Sequence, residues 1–238
     1  MSDLQSITNR LRDQIEGLQF PDPVAYVYNP LDYARRPWAR YLEKYGQAPK
    51  EVLLLGMNPG PWGMAQTGIP FGEVSLVRDW LGVEAPVDQP QRMHPKKPVT
   101  GFACPRHEVS GQRLWGWAKE RFVKPEAFLA RFLVINYCPL LFLDEAGRNL
   151  TPELMPKGVQ QDIHKICDQA LAETVKVLQP RYVIGVGRYA EKRAREVLGD
   201  FPGTIAYITH PSPANPKANR GWSQLIETEL QELGIKIG

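Results

Sequence analysis

Four short runs of large apolar and β-branched residues, at 52–55, 132–135, 182–186 and 205–209, constrain this chain more than any other feature. Each is bounded by Gly, Pro or Asn, as buried strands are. Their apolarity is continuous, which points to a parallel sheet covered on both faces. Between them, apolar residues recur at helical spacing. One such segment holds Val159, Ile163, Ile166, Cys167, Ala170, Leu171, Thr174 and Leu178; another holds Trp222, Leu225, Ile226, Leu230 and Leu233. Shorter helices are expected over 38–45, 73–81, 113–122 and 189–198. An amphipathic helix is expected over 1–20, carrying Leu4, Ile7, Leu11 and Ile15. Strands alternating with helices imply crossover units. The expected fold is therefore α/β: one domain spanning all 238 residues, a three-layer α/β/α sandwich around a central four-stranded parallel sheet.

Two stretches, 83–110 and 140–158, are poor in either pattern and read as long irregular loops, which in compact domains are commonly functional. The first concentrates Arg92, Lys96, Lys97 and Arg106, with Arg113 just beyond it.

Composition excludes several classes. No apolar run approaches the roughly 20 residues that span a bilayer, and no export signal precedes the first helix, so an intracellular protein with no membrane partner is expected. The three cysteines, Cys104, Cys138 and Cys167, are odd in number and widely spaced. That argues against a disulfide framework and falls short of the four thiolates an iron–sulfur cluster usually needs. His94, Cys104 and His107 lack the paired close spacing of zinc sites. No metal and no cofactor are expected. A net charge of +3 permits an acidic partner without demanding one.

In open parallel sheets, ligands bind beyond the carboxyl ends of the strands. Those ends read Gly56-Met57-Asn58-Pro59-Gly60, Asn136-Tyr137-Cys138-Pro139, Gly187-Arg188-Tyr189 and His210-Pro211-Ser212-Pro213. Asn58, Asn136 and His210 are expected to converge on one cleft. No acidic residue stands at any of these ends, which argues against a two-carboxylate mechanism. Gly56, Gly60, Gly63, Gly68 and Gly72, stiffened by Pro59, Pro61 and Pro70, can bring fixed N–H groups close to an anion or a planar base. His210 opens a Pro-Ser-Pro turn that holds it at the cleft; His94, His107 and His164 read as structural. Residues 185–190 fit the pattern G-x-G-x-x-A. They follow the third strand, however, and no acid ends the next one. They read as a tight strand–helix turn whose N-terminus, with Arg188, can hold a DNA phosphate. A nicotinamide-dependent oxidoreductase would rest on that pattern, and a binding module without turnover is a further alternative.

The residues 56–68, Gly-Met-Asn-Pro-Gly-Pro-Trp-Gly-Met-Ala-Gln-Thr-Gly, continuing as Ile69-Pro70-Phe71-Gly72-Glu73-Val74, resemble the first motif of the single-strand-selective monofunctional uracil-DNA glycosylases. His210-Pro211-Ser212-Pro213 with Asn215-Pro216, Ala218-Asn219 and Gly221-Trp222 resembles the second. Tyr28-Asn29-Pro30, residues 77–82, Val109-Ser110-Gly111 and residues 136–140 extend the likeness over most of the chain from about Val24 onward.

The resemblance implies a uracil-glycosylase fold and an enzyme that flips uracil from single- or double-stranded DNA and hydrolyses its glycosidic bond. By resemblance, His210 donates to the departing O2, Asn58 positions the water, Asn136 reads N3–H and O4, and Phe71 stacks on the base. Met57 lines the pocket through its backbone. Gly60 leaves room at position 5, so 5-hydroxymethyluracil is expected to fit. Ser212 and Ala214 belong to the loop that enters the duplex, where many relatives carry arginine at the place of Ala214; weaker wedge insertion is expected here. Lys217, Asn219 and Arg220 are expected phosphate contacts. With no lysine in either motif's core, no Schiff base and no strand cleavage are expected. A monomer suits such an enzyme.

Overall fold

The computed structural model describes residues 3–237. Helix α1 (Asp3–Glu16) is followed by strand β1 (Tyr26–Tyr28), the short α2 (Pro30–Tyr33) and α3 (Arg35–Tyr45). Strand β2 (Val52–Gly56) leads into α4 (Met64–Thr67) and a π-helix, Leu76–Leu81. Next come α5 (Val109–Phe122), α6 (Pro125–Leu129) and β3 (Phe132–Asn136). Short strands β4 (Leu141–Leu143) and β5 (Asn149–Leu150) precede α7 (Lys157–Leu178). The chain closes with β6 (Tyr182–Val186), α8 (Arg188–Leu198), β7 (Thr204–Ile208) and α9 (Trp222–Glu232).

The four expected strands form one parallel sheet in the order β3-β2-β6-β7. Every residue of β2 and β6 is buried, as continuous apolar runs require. β7 is one of the two edge strands, and only Ile208 in it is fully buried. Right-handed crossovers place α5 and α6 on one face and α7 and α8 on the other. α9 packs on α5 and β7, and α1 on α7, completing the two outer layers. Among the described residues no helix is long and apolar enough to cross a membrane.

Four expectations are corrected. Residues 140–158 are not an irregular loop: β4 pairs antiparallel with β1 and β5 to build a small second sheet. Strands of two and three residues are too short to show a period, and only their long-range pairing reveals them. α5 starts at Val109, four residues before the expected 113, because Glu108 caps it by accepting the Gly111 N–H. The segment 73–81 is a π-helix over most of its length, Leu76–Leu81, closed by Gly82 at φ 63°. The expected helix over 1–20 is helical from Asp3 to Glu16, with Gly17 and Pro21 beyond it; Met1 lies outside the described residues.

Candidate functional site

Strand geometry carries the first and second motifs to the same edge of the sheet. The pairing of β2 with β3 continues past the strand ends, where Tyr137 N donates to Gly56 O and Cys138 N to Met57 O, both at 2.9 Å. This zips the loop after β2 against the loop after β3. It also commits the Met57 carbonyl to the scaffold. Asn58 Nδ2 donates to Leu140 O at 3.2 Å, so the amide nitrogen faces the protein and Oδ1 is the end left for the cleft.

Asn136, the last residue of β3, lies against Gly56. A Cβ at Gly56 would overlap Asn136 Oδ1 and stand 2.9 Å from the Phe71 ring. Only glycine allows that amide and that ring to meet there. Phe71 itself holds φ 54°, a sparsely populated conformation for a residue with a side chain, and such strain persists only where neighbours enforce it. Here Trp115 Nε1 donates to Pro70 O at 3.0 Å, Glu73 N donates to Phe71 O at 2.8 Å, and Gly111 of α5 packs directly on the Phe71 carbonyl.

His210 follows β7. Its predecessor Thr209 is tied to α9 through Glu229, which accepts from both its N–H and its hydroxyl, and Trp222 Nε1 donates to Thr209 O at 2.7 Å. The imidazole is half-buried, 5.8 Å from the Phe71 ring between centroids. Its Nδ1 accepts the Ser212 N–H at 3.0 Å. The other nitrogen, Nε2, therefore carries the proton. Burial pushes the ring's pKa down to about 4, so it is neutral near pH 7.

Met57, Asn58, Gly60, Phe71, Asn136, His210 and Ser212 all line one cleft of about 350 Å³. Expected DNA contacts outside it fare differently. Ala214 is exposed, its N–H turned back to Ser212 Oγ at 3.2 Å. Lys217 and Arg220 are exposed on the same loop. Asn219, expected at a phosphate, has both ends of its amide occupied: Nδ2 donates to Pro213 O and Oδ1 accepts from Arg113, each within 2.9 Å. It braces the loop. Arg188 lies over the Tyr207 ring at 4.3 Å and bonds its hydroxyl. The turn before it, at Gly187 (φ 100°), packs against His210.

Sequence reasoning missed three contributors, Glu108, Asn149 and Thr151. Glu108 reaches the cleft from the N-terminus of α5, so the site is not free of carboxylates even though the strand ends are. An acid just before a helix is a legible cap, but the helix was expected to start too late for it to be seen. Asn149 and Thr151 line the opposite rim from β5 and the turn after it. Arg113 joins Pro211 O to Asn219. From the basic stretch, Lys97 and Arg106 flank Trp62 at the cleft, 4.8 and 5.0 Å from its ring centre, while Arg92 lies on Tyr26. His94 and His164 are structural, bonded to Glu145 O and Tyr189. His107 bonds Glu73 at 3.1 Å on the cleft side. The three cysteines are free and buried. Among the described residues no group of three or more His, Cys, Asp or Glu could hold a metal ion.

The uracil DNA glycosylase superfamily model matches residues 43–231. Over 228 residues the chain is 50% identical to the single-strand selective monofunctional uracil DNA glycosylase of Mus musculus, covering 95% of this chain and 82% of the relative. It is 49% identical to that of Bos taurus, covering 95% and 84%. Among solved structures, that of wild-type Pedobacter heparinus SMUG2 matches with a TM-score of 0.67 at 16% identity, over 96% of this chain and 97% of the other; at that identity the likeness concerns the fold. On these matches the chain belongs to the uracil-DNA glycosylase superfamily and, within it, to the single-strand selective monofunctional uracil-DNA glycosylases.

Proposed function

We propose that the protein is a monofunctional glycosylase that takes a flipped uracil, or a 5-substituted uracil, from DNA and hydrolyses its bond to the deoxyribose. The observation that carries this reading is the His210 tautomer. With Nδ1 accepting the Ser212 N–H, a neutral imidazole offers Nε2–H into the cleft that also holds Asn58, Phe71 and Asn136.

Bond cleavage makes the departing ring an anion and the sugar electrophilic. A fixed donor aimed at the developing charge is worth about 3 kcal/mol. His210 Nε2–H supplies it at O2, and a neutral donor needs no proton uptake. Asn58 Oδ1 orients the water toward the anomeric carbon. An amide is a poor base, but a strongly electrophilic sugar needs little deprotonation. Asn136 presents one acceptor and one donor to the N3–H and O4 edge. Cytosine reverses that edge and would leave the amide mispaired, which rejects it. Phe71 supplies the stacking face for the extruded base, and Gly60 leaves space beside position 5. None of the residues lining the cleft is a lysine, so the product is an abasic site and a free base. Lys97 and Arg106 beside Trp62, with Lys217 and Arg220 on the loop after His210, supply the phosphate attraction.

The test is base release from a labelled single-stranded oligonucleotide containing one uracil, with EDTA present, before and after alkali. Strand breaks only after alkali support the reading. Breaks without alkali contradict the monofunctional assignment, and tight binding without base release favours a damage-binding protein.

A further inference from the structure

Of the six tryptophans in the chain, five are buried in the core and Trp62 alone is not. It stands in the cleft wall beside Gly60 and Pro61, on the turn that runs from the first motif into α4. Lys97 Nζ lies 4.8 Å and the Arg106 guanidinium 5.0 Å from its ring centre. Among the described residues neither cation has an acidic partner, whereas Arg92 and Arg148 each face an acid.

Buried contacts hold this group together. Gln66, fully buried on α4, donates to Pro61 O and to Pro98 O, each at 2.9 Å, and accepts the Thr100 N–H at 2.9 Å. One amide thus clamps the residue before Trp62 to the residue after Lys97. Lys97 is fixed from its other side as well: its carbonyl accepts from the Tyr28 hydroxyl at 2.8 Å, and its N–H donates to His94 O at 2.9 Å. A partly exposed indole with two unpaired cations beside it is the combination that holds single-stranded nucleic acid. The ring offers a stacking face for a base, and the cations offer charge for the backbone.

We infer that Trp62 is the platform for the base next to the flipped uracil, and that Lys97 and Arg106 hold the phosphates on that side of it. This rests on the reading of the cleft as the uracil site. A base stacked on an aromatic ring is worth more than an exposed cation–π contact. The incoming base therefore takes the ring, and the two long side chains keep their charges for the backbone. Such a platform favours single strands. In a single strand the neighbouring base gives up only its own stacking. In a duplex it must also break its pairing, a cost added to that of flipping uracil. Single-strand preference thus has a source separate from the short side chain of Ala214.

The experiment compares the wild type, Trp62→Phe and Trp62→Ala on single-stranded oligonucleotides carrying one uncleavable 2′-fluorinated deoxyuridine. An abasic spacer replaces its 5′ neighbour, its 3′ neighbour or a distant nucleotide. Each affinity is divided by that of the same preparation for the distant-spacer strand, so a general loss of fold cancels. In the wild type, removing the neighbouring base on at least one side weakens binding about tenfold. Trp62→Phe keeps that penalty and Trp62→Ala erases it. Single-stranded DNA also quenches the tryptophan emission of the wild type but not of Trp62→Phe, whose five remaining indoles are buried. A wild type indifferent to both neighbours, or a penalty undiminished in Trp62→Ala, overturns this inference alone when the wild type still releases uracil from the cleavable strand. Failure of the wild type to release uracil from any strand overturns it together with the reading of the cleft.

Discussion

His210 Nδ1 accepts the N–H of Ser212, two residues further along the same turn, at 3.0 Å. One backbone hydrogen bond thereby sets the tautomer of the residue on which the proposed chemistry turns. Because burial also lowers the ring's pKa to about 4, the folded protein resists protonating it. The sign follows: above pH 6.5 both folded and unfolded chains hold a neutral histidine and nothing is lost. As pH falls from 6.5 toward 4 the unfolded chain takes up a proton that the folded one refuses. That costs about 3 kcal/mol of stability by about pH 4. Urea unfolding across this range should show the loss in the wild type, and much less of it in His210→Gln. A ring protonated in the folded state at pH 6 in a nitrogen-15 NMR titration would contradict the assignment.

Gly56→Ala should damage recognition more than folding. The added methyl overlaps Asn136 Oδ1 and crowds the Phe71 ring, so amide and ring cannot both keep their places. Uracil release is expected to fall about a hundredfold or more, the scale on which a misplaced reactive geometry is felt. Kinetics with a circular-dichroism melt as a folding control decide this; an active variant with an unchanged rate would break the account of the pocket.

How much of this was legible follows from the sheet. Parallel strands deliver their carboxyl ends to one edge, so Asn58, Asn136 and His210 could be placed in one cleft from three apolar runs and the residues after them. The small sheet of β1, β4 and β5 could not, because strands of two and three residues show no pattern of their own and β1 meets β4 only across a long stretch of intervening chain. Glu108 escaped for a related reason: it enters the cleft from a helix start, not from a strand end. The bond between Asn219 and Arg113, 106 residues away in sequence, was also hidden, because an exposed amide in a loop gives no sign of a distant partner.

Ala214→Arg should shift the balance toward duplex substrates. The exposed alanine at the tip of the loop after His210 cannot fill a vacated base stack, whereas arginine stacks and pairs with phosphate. We expect duplex uracil release to rise several-fold relative to single-stranded release, measured as the ratio of the two rates. An unchanged ratio would mean that this loop does not enter the helix.

Lys97→Ala with Arg106→Ala should weaken DNA binding evenly across sequences. Both cations flank Trp62 at the cleft. Removing each phosphate-binding cation should reduce the slope of log affinity against log salt by about one. Fluorescence anisotropy at several salt concentrations reads this directly, and an unaltered slope would move the DNA path elsewhere.

The central claim is that Asn58 and His210 carry hydrolysis from one cleft. Its most direct test is the single-turnover rate of uracil release by Asn58→Ala and His210→Ala beside the wild type, with DNA affinity measured on the same samples. The account predicts a fall of about a hundredfold or more in each variant with affinity nearly kept. Wild-type rates in either variant would contradict it.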